Sequence, residues 1–455
     1  SMTRVEAIPL VSMQKGMPWD WESFPEYLDS VERAKKAMNI VPYVPLSPLM
    51  ISVMGYEEAK SGQKPSTSEH KEMCRLLEES LDAGACGWSA QRLPPSGPGG
   101  TQLDFDGTAM PTDVMHDETA LEFAKILGKR NAGHIQTTIV TGDPIADQKH
   151  MEELAVVSGR PVVFNVVQAT DTKPHIHRRS LAWLDSCRQR GIRVYGQGLT
   201  TDAGYAFTLA DWNLFDECPA WREATVGTKQ ERLVKLGDMN RRQSLRNQVP
   251  GFVTGPFENI VLTDPKSKEN LKWKDHTIGL IAEKTGKHVV DAMLDIAVSE
   301  DLETEFFSMP PNCKIEYLKE IVDDPYVLFG VSDGGAHTKF LTAGRYPTET
   351  INKIVKEHQM ISLEQAHWRL SCLPAQLAGC PERGVIKLGA PADVIVYDYE
   401  NLEVLPPEIA FDLPGGEWRR VQRASGYKYI FINGQITIKD DREVNQYPGQ
   451  LLRKK

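Results

Sequence analysis

The residues with the most evident chemistry lie together in Gly330-Val331-Ser332-Asp333-Gly334-Gly335-Ala336-His337. The preceding run, Tyr326 to Val331, reads as a buried strand that ends in a carboxylate, two glycines and an imidazole. In α/β barrels the reacting groups sit at the carboxyl ends of the strands. A carboxylate there can take a proton from free or metal-bound water, and a nearby histidine can donate one to a leaving group. The same pattern suits a helix N-cap, in which Asp333 merely satisfies backbone N–H groups. Spacing alone leaves both readings open.

Other candidates are weaker. Asn165, Gln168 and Gln197 fall at or near strand ends, where an amide can hold a polar substrate or anchor a loop. His175-Ile176-His177 has the spacing of a metal pair, but it opens a helix next to Arg178-Arg179 and is expected on the surface. Cys86, in a short strand, reads as a buried and inert thiol. The seven cysteines are dispersed, with no CxxC, as reduced core thiols are. No GxGxxG follows a strand and no Walker A motif occurs, so nucleotide cofactors have little support.

Apolar β-rich runs alternate with amphipathic helices through most of the chain. Strands are expected near 40–44, 86–89, 133–140, 161–167, 192–197 and 326–331. Ser66 with Glu69 forms a capping box for a helix carrying Met73, Leu76, Leu77 and Leu81 on one face. A Pro/Gly-rich loop follows the second strand, through Pro94, Pro95, Pro98, Gly99 and Gly100. Further helices are expected near 118–128, from Pro144 to Ser158, and near 178–190. Ser362 with Gln365 is a second capping box. Such alternation means βαβ units and a parallel sheet. Periodicity does not separate a barrel from an open doubly wound sheet. The pattern breaks from about 206 to 271, around Trp212 and Trp221, and reads as a mostly helical insertion. After Arg383 the runs become short and β-rich, with an Asn433-Gly434 hairpin signal.

The chain has 455 residues, 41% hydrophobic and 25% charged, which is ordinary for a globular protein and excludes global disorder. Its 62 acidic and 52 basic residues give a net charge of −10, which argues against a nucleic-acid partner. No apolar run of about 18 residues exists to span a membrane, and no secretory h-region follows Ser1-Met2-Thr3-Arg4. A cytoplasmic protein acting on a small molecule is expected.

Several longer stretches are familiar. Trp19-Asp20-Trp21-Glu22-Ser23-Phe24-Pro25-Glu26-Tyr27-Leu28-Asp29 resembles a signature of the N-acyl-D-amino-acid deacylase (D-aminoacylase) branch of the amidohydrolase superfamily. So do Val53-Met54-Gly55 and Ser332-Asp333-Gly334-Gly335-Ala336-His337-Thr338. The segment Arg383 to Asp398, Asn433-Gly434, and Pro448 to Arg453 are similar to that family's C-terminal part. The resemblance covers essentially the whole chain. It implies a (β/α)8 TIM-like barrel over residues 1–382, with the helical insertion, and a small β-sandwich-like appendage over 383–455. It also implies a zinc-dependent hydrolase that cleaves amide-type C–N bonds. Asp333 matches the family's last-strand aspartate, the general acid/base and a metal ligand, and His337 a loop position that can touch substrate.

The sequence departs from that family pattern in ways that matter. The family's His-x-His and Cys ligands have no counterpart, because the chain begins after that region. Its middle-strand histidines fall at or beside Asn165 and near Tyr195-Gly196-Gln197. Zinc therefore lacks its usual ligands here. Six strands also fall two short of eight. The expectation is a homo- or hetero-oligomer in which another chain supplies the missing barrel units. The alternative to hydrolysis is a non-catalytic or regulatory subunit that has lost the metal site and pairs with another chain.

Overall fold

The computed structural model describes residues 2–94, 102–202, 204–211, 215–250 and 255–454. Six strands form one parallel sheet: β1 (Val44–Pro45), β2 (Gly87–Arg92), β3 (His134–Ile139), β4 (Val162–Val167), β5 (Val194–Gly198) and β9 (Val327–Phe329), side by side in that order. The order never reverses, as it would in a doubly wound sheet. Each new strand adds to the same edge. With right-handed crossovers, this keeps the helices on one face and curls the sheet into a barrel wall. The architecture is thus mixed α/β with the strand order of a (β/α) barrel.

The crossover helices are α1 (Thr67–Asp82), α2 (Asp117–Arg130), α3 (Pro144–Ser158), α4 (His175–Gln189) and, before β9, α5 (Ile315–Asp323). Their boundaries follow local chemistry. Ser66 Oγ accepts the N–H of Glu69, and Glu69 Oε2 accepts that of Ser66, closing the expected capping box on α1. Pro144 opens α3 behind Asp143, whose carboxylate caps Ile145 and Ala146. Met73, Leu77, Leu81, Phe123, Leu127, Leu154 and Leu184 bury one face of these helices against Trp88, Ile135, Val162 and Val194 of the sheet.

The expected strand at 40–44 is only Val44–Pro45. Pro42 and Pro45 cannot donate to a ladder, and Ile40 instead bridges Leu451 near the C-terminus. The region read as a mostly helical insertion contains more sheet than expected. Here β6 (Tyr205–Phe207), β7 (Val261–Asp264) and β8 (Glu305–Ser308) form an antiparallel sheet in the order β6-β8-β7, beside helices Pro219–Thr225 and Lys229–Gly237. Its separate core packs Phe207, Phe215, Trp221, Phe257 and Phe306. From Val394 onward every strand is antiparallel, in a four-stranded sheet and the two-stranded Glu403–Leu413/Glu417–Ser425 pair. Trp212 and most of the Pro/Gly-rich loop lie outside the described residues. Among the described residues no helix is long and apolar enough to cross a membrane.

His134 opens β3 with its ring buried against Tyr43, whose hydroxyl contacts Nε2. Burial lowers its pKa from 6.5 to about 4. The fold therefore holds His134 neutral while the unfolded chain protonates it. The stability this contributes is present above pH 6.5 and is lost as pH falls toward 4, a change of about 3 kcal/mol by proton linkage. Asp113 runs the other way. Burial raises its pKa to about 6, so its contribution is present below its ordinary value and is lost as pH rises through about 6. Denaturant unfolding of His134→Gln between pH 7 and 4 should show stability rising on acidification. The parent chain should show a nearly flat profile over that range. Parallel profiles for the two proteins would refute the assignment.

Candidate active site at the barrel mouth

β9 ends in Gly330, whose backbone φ is +81°. A Cβ there would lie 2.0 Å from Cδ2 of Tyr346, so only glycine lets the chain turn out of the barrel at this point. Gly330 N–H donates to Gly198 O, and its carbonyl accepts from Gln197 Nε2 at 2.9 Å. The turn that follows places Asp333 beyond the carboxyl end of β9. Asp333 Oδ2 lies 3.5 Å from His337 Nε2, and His337 Nδ1 lies 3.1 Å from Glu6 Oε2. The Gly334 N–H is taken by Ser332 Oγ, not by Asp333. The aspartate thus faces an imidazole and does not act as a backbone cap.

Asp333 and His337 both carry positive φ, +45° and +53°. Non-glycine residues in that region store strain that the surroundings must hold, a feature that concentrates at functional sites. Glu6 is brought in by the N-terminal segment, which Thr338 fastens through bonds to the carbonyls of Glu6 and Ala7. Burial raises the Glu6 pKa; His337 opposes the rise and the like charge of Asp333 adds to it. Tyr205 is half-buried beside the group, and desolvation, with the charge of Asp333, pushes its hydroxyl up to about 12. Glu6 was not recognisable from sequence, since no spacing rule links it to a turn at the far end of the barrel.

This cluster opens into a cavity of about 1260 Å³ at the carboxyl ends of β3 and β4. Asn165, Gln168, Asp333 and His337 all line it. Asn165 Oδ1 is buried without a hydrogen-bond partner. An unsatisfied amide oxygen facing a cavity can accept an N–H from a ligand. Gln197 does not line this cavity. Its side chain joins β3 to β9, accepting from Gln136 Nε2 at 3.3 Å while donating to Gly330. Of the His175-Ile176-His177 pair, His175 is exposed as expected. His177 is buried, with Nε2 3.0 Å from Glu320. Both lie in the first turn of α4, so they point to different sides and form no metal pair.

No family model matches the chain. An uncharacterized protein of Mycobacterium tuberculosis (strain ATCC 25618 / H37Rv) is 22% identical over 493 residues, covering 99% of this chain and 78% of the relative. The N-acyl-D-aspartate deacylase of Alcaligenes xylosoxydans xylosoxydans is 22% identical over 439 residues, covering 94% and 71%. Among solved structures, D-aminoacylase superposes with a TM-score of 0.60 at 17% identity, over 99% of this chain and 81% of that one. The N-acyl-D-glutamate deacylase of Bordetella bronchiseptica, complexed with zinc and a phosphonate inhibitor, does so at 0.58 and 18%, over 95% and 75%. By sequence the chain is similar to N-acyl-D-amino-acid deacylases, and by fold to D-aminoacylase.

Proposed function

We propose that the chain hydrolyses the amide C–N bond of an N-acyl amino acid, of the D series that its named relatives handle, with Asp333 as general acid/base. The observation that supports this is the Glu6–His337–Asp333 cluster at the carboxyl end of β9, facing a cavity large enough for such a substrate. As a water oxygen bonds to the acyl carbon, Asp333 takes its proton. As the C–N bond breaks, Asp333 passes the proton to the departing nitrogen, leaving an acid and an amine. His337 lies between the Asp333 carboxylate and Glu6, at 3.5 and 3.1 Å. Asn165 Oδ1 is the acceptor for the substrate amide, and Gln168 lies beside it in the wall. Turnover of Asp333→Asn on N-acyl-D-amino acids tests the reading; an undiminished rate would refute it.

The Bordetella enzyme is complexed with zinc. In this chain no group of three or more His, Cys, Asp or Glu among the described residues could hold a metal ion. The strand ends present amides at Asn165 and Gln168, where zinc needs imidazole, thiolate or carboxylate. The described residues do not fit a zinc centre, and one would need ligands from elsewhere.

A specific observation favours a second element of this reading, a partner chain. Ile386 and Leu388 are 92% and 103% exposed, and Phe411 is 73% exposed, on the C-terminal β region. Within the described residues β1 and β9 are the outer strands of the parallel sheet, each with one free edge. Apolar surface and unpaired edges of this kind are normally covered. We propose that a second polypeptide, identical or different, covers them. Sedimentation at micromolar concentration should show an oligomer or a self-associating chain. A monodisperse monomer with a cooperative melt would end the proposal.

A further inference from the structure

We infer that the cavity beside Asp333 is built for a long apolar acyl chain, so that the substrate is a lipid-like N-acyl amino acid and not an N-acetyl one. The inference rests on the hydrolytic reading above and specifies its substrate. A volume of about 1260 Å³ exceeds the range of roughly 300–1,000 Å³ usual for pockets that hold drug-sized ligands. An acetyl group would leave most of it unfilled. Much of the wall is apolar, with Met151 from α3, the half-buried Phe164 from β4, and Phe257 and Phe340 from the insertion side, beside the buried Arg4, Asp147, His177 and Asp216. Phe340 stacks obliquely against His337 at 4.7 Å between ring centroids, so this wall begins at the reacting groups. Ile176 and Met309 line the same cavity yet remain 37% and 47% exposed. Large apolar side chains left to solvent inside a cavity are what a hydrophobic ligand would cover.

Several charged groups of the wall are already engaged, while Lys173, Arg179 and Glu258 also line it. Arg4 holds Asp216. Asp147 accepts from the Thr141 N–H and hydroxyl, at 3.1 and 2.5 Å. Asp171 accepts the N–H groups of Cys313 and Lys314. These pairs leave the apolar surface for the ligand body, with Lys173 and Arg179 as the cationic groups of the wall.

The test is calorimetric binding of N-acetyl-, N-octanoyl- and N-dodecanoyl-D-leucine to the full chain carrying Asp333→Asn, with turnover of the same compounds by the parent chain followed separately. Kd should fall about three- to fourfold for each added methylene until the cavity is filled, giving at least a hundredfold gain from acetyl to octanoyl. Ile176→Trp, at a position 37% exposed in the cavity wall, should shorten the longest chain that still gains affinity, with a melt of the variant to check its fold. Kd independent of chain length would overturn the inference. So would an Ile176→Trp profile identical to that of the Asp333→Asn chain, which would mean the chains stick elsewhere. Length-dependent binding with no turnover would retain the cavity and remove the hydrolase reading. Turnover of N-acetyl-D-leucine with no gain from longer chains would do the reverse.

Discussion

Asp333→Asn is expected to lose about 10²–10⁴-fold in hydrolytic turnover, the usual worth of a positioned acid/base group, while its melting temperature shifts by no more than about 2 °C. The fold makes this a clean substitution. Asp333 is exposed and supports no backbone N–H group, so no element depends on its charge. Its φ of +45° is a conformation that asparagine tolerates nearly as well as aspartate, so the turn keeps its shape. What disappears is the proton acceptor 3.5 Å from His337 Nε2. KM should change less than kcat, because the acid/base contribution is made in the transition state. Initial rates on N-acyl-D-amino acids, with a melt of each variant, check both halves. A variant that keeps full turnover would remove the acid/base role from Asp333. A variant that loses turnover together with its melt would show Asp333 to be structural.

The sequence made the repeating unit of the barrel visible and the contents of its mouth only partly so. β3 and β4 were legible because each is a β-branched run bounded by glycine or proline, and β5 because the short apolar run from Ile192 follows the helix-ending Gly191; such runs have few alternatives once a helix precedes them. β6, β7 and β8 were not. They are three or four residues long, and Phe306 and Phe307 read as well in a helix as in a strand until their partners are known. Asp333 could be placed because a strand, a turn and a carboxylate follow one another within a few residues. Its neighbours could not. Glu6 reaches His337 from the opposite end of the chain, and contacts of that kind are set by how the elements pack, not by any local pattern. Gln197 shows the converse. A polar side chain at a strand end suggested a substrate contact, and it is occupied with the Gly330 carbonyl.

Arg4→Met is expected to destabilise the protein by about 3–5 kcal/mol, the usual cost of stripping one partner from a buried ion pair. Arg4 is 6% exposed and Asp216 1%. Arg4 Nε donates to Asp216 Oδ2 at 2.9 Å, a second guanidinium nitrogen meets Oδ1, and Nη1 donates to the carbonyl of Thr225 at 3.2 Å. The two residues are 212 positions apart, so this contact fastens the N-terminal segment onto the insertion. Burial already raises the Asp216 pKa against the opposing pull of Arg4. Without the guanidinium the rise is larger. A carboxyl whose folded pKa is raised contributes stability below its ordinary pKa and loses it as pH rises through the folded value. The variant should therefore be closest to the parent chain in acid and furthest from it at neutral pH. Arg4→Met with Asp216→Leu should recover most of the loss at neutral pH, since a packed apolar pair replaces a buried ionic one at little net cost. Denaturant unfolding of the parent, the single and the double variant at two pH values decides it; a single variant as stable as the parent at neutral pH would refute the pairing. The same segment carries Glu6, two residues on, against His337. Loosening Arg4 should therefore lower turnover as well, and the double variant, which rebuilds the packing without touching Glu6, should restore it in step with stability.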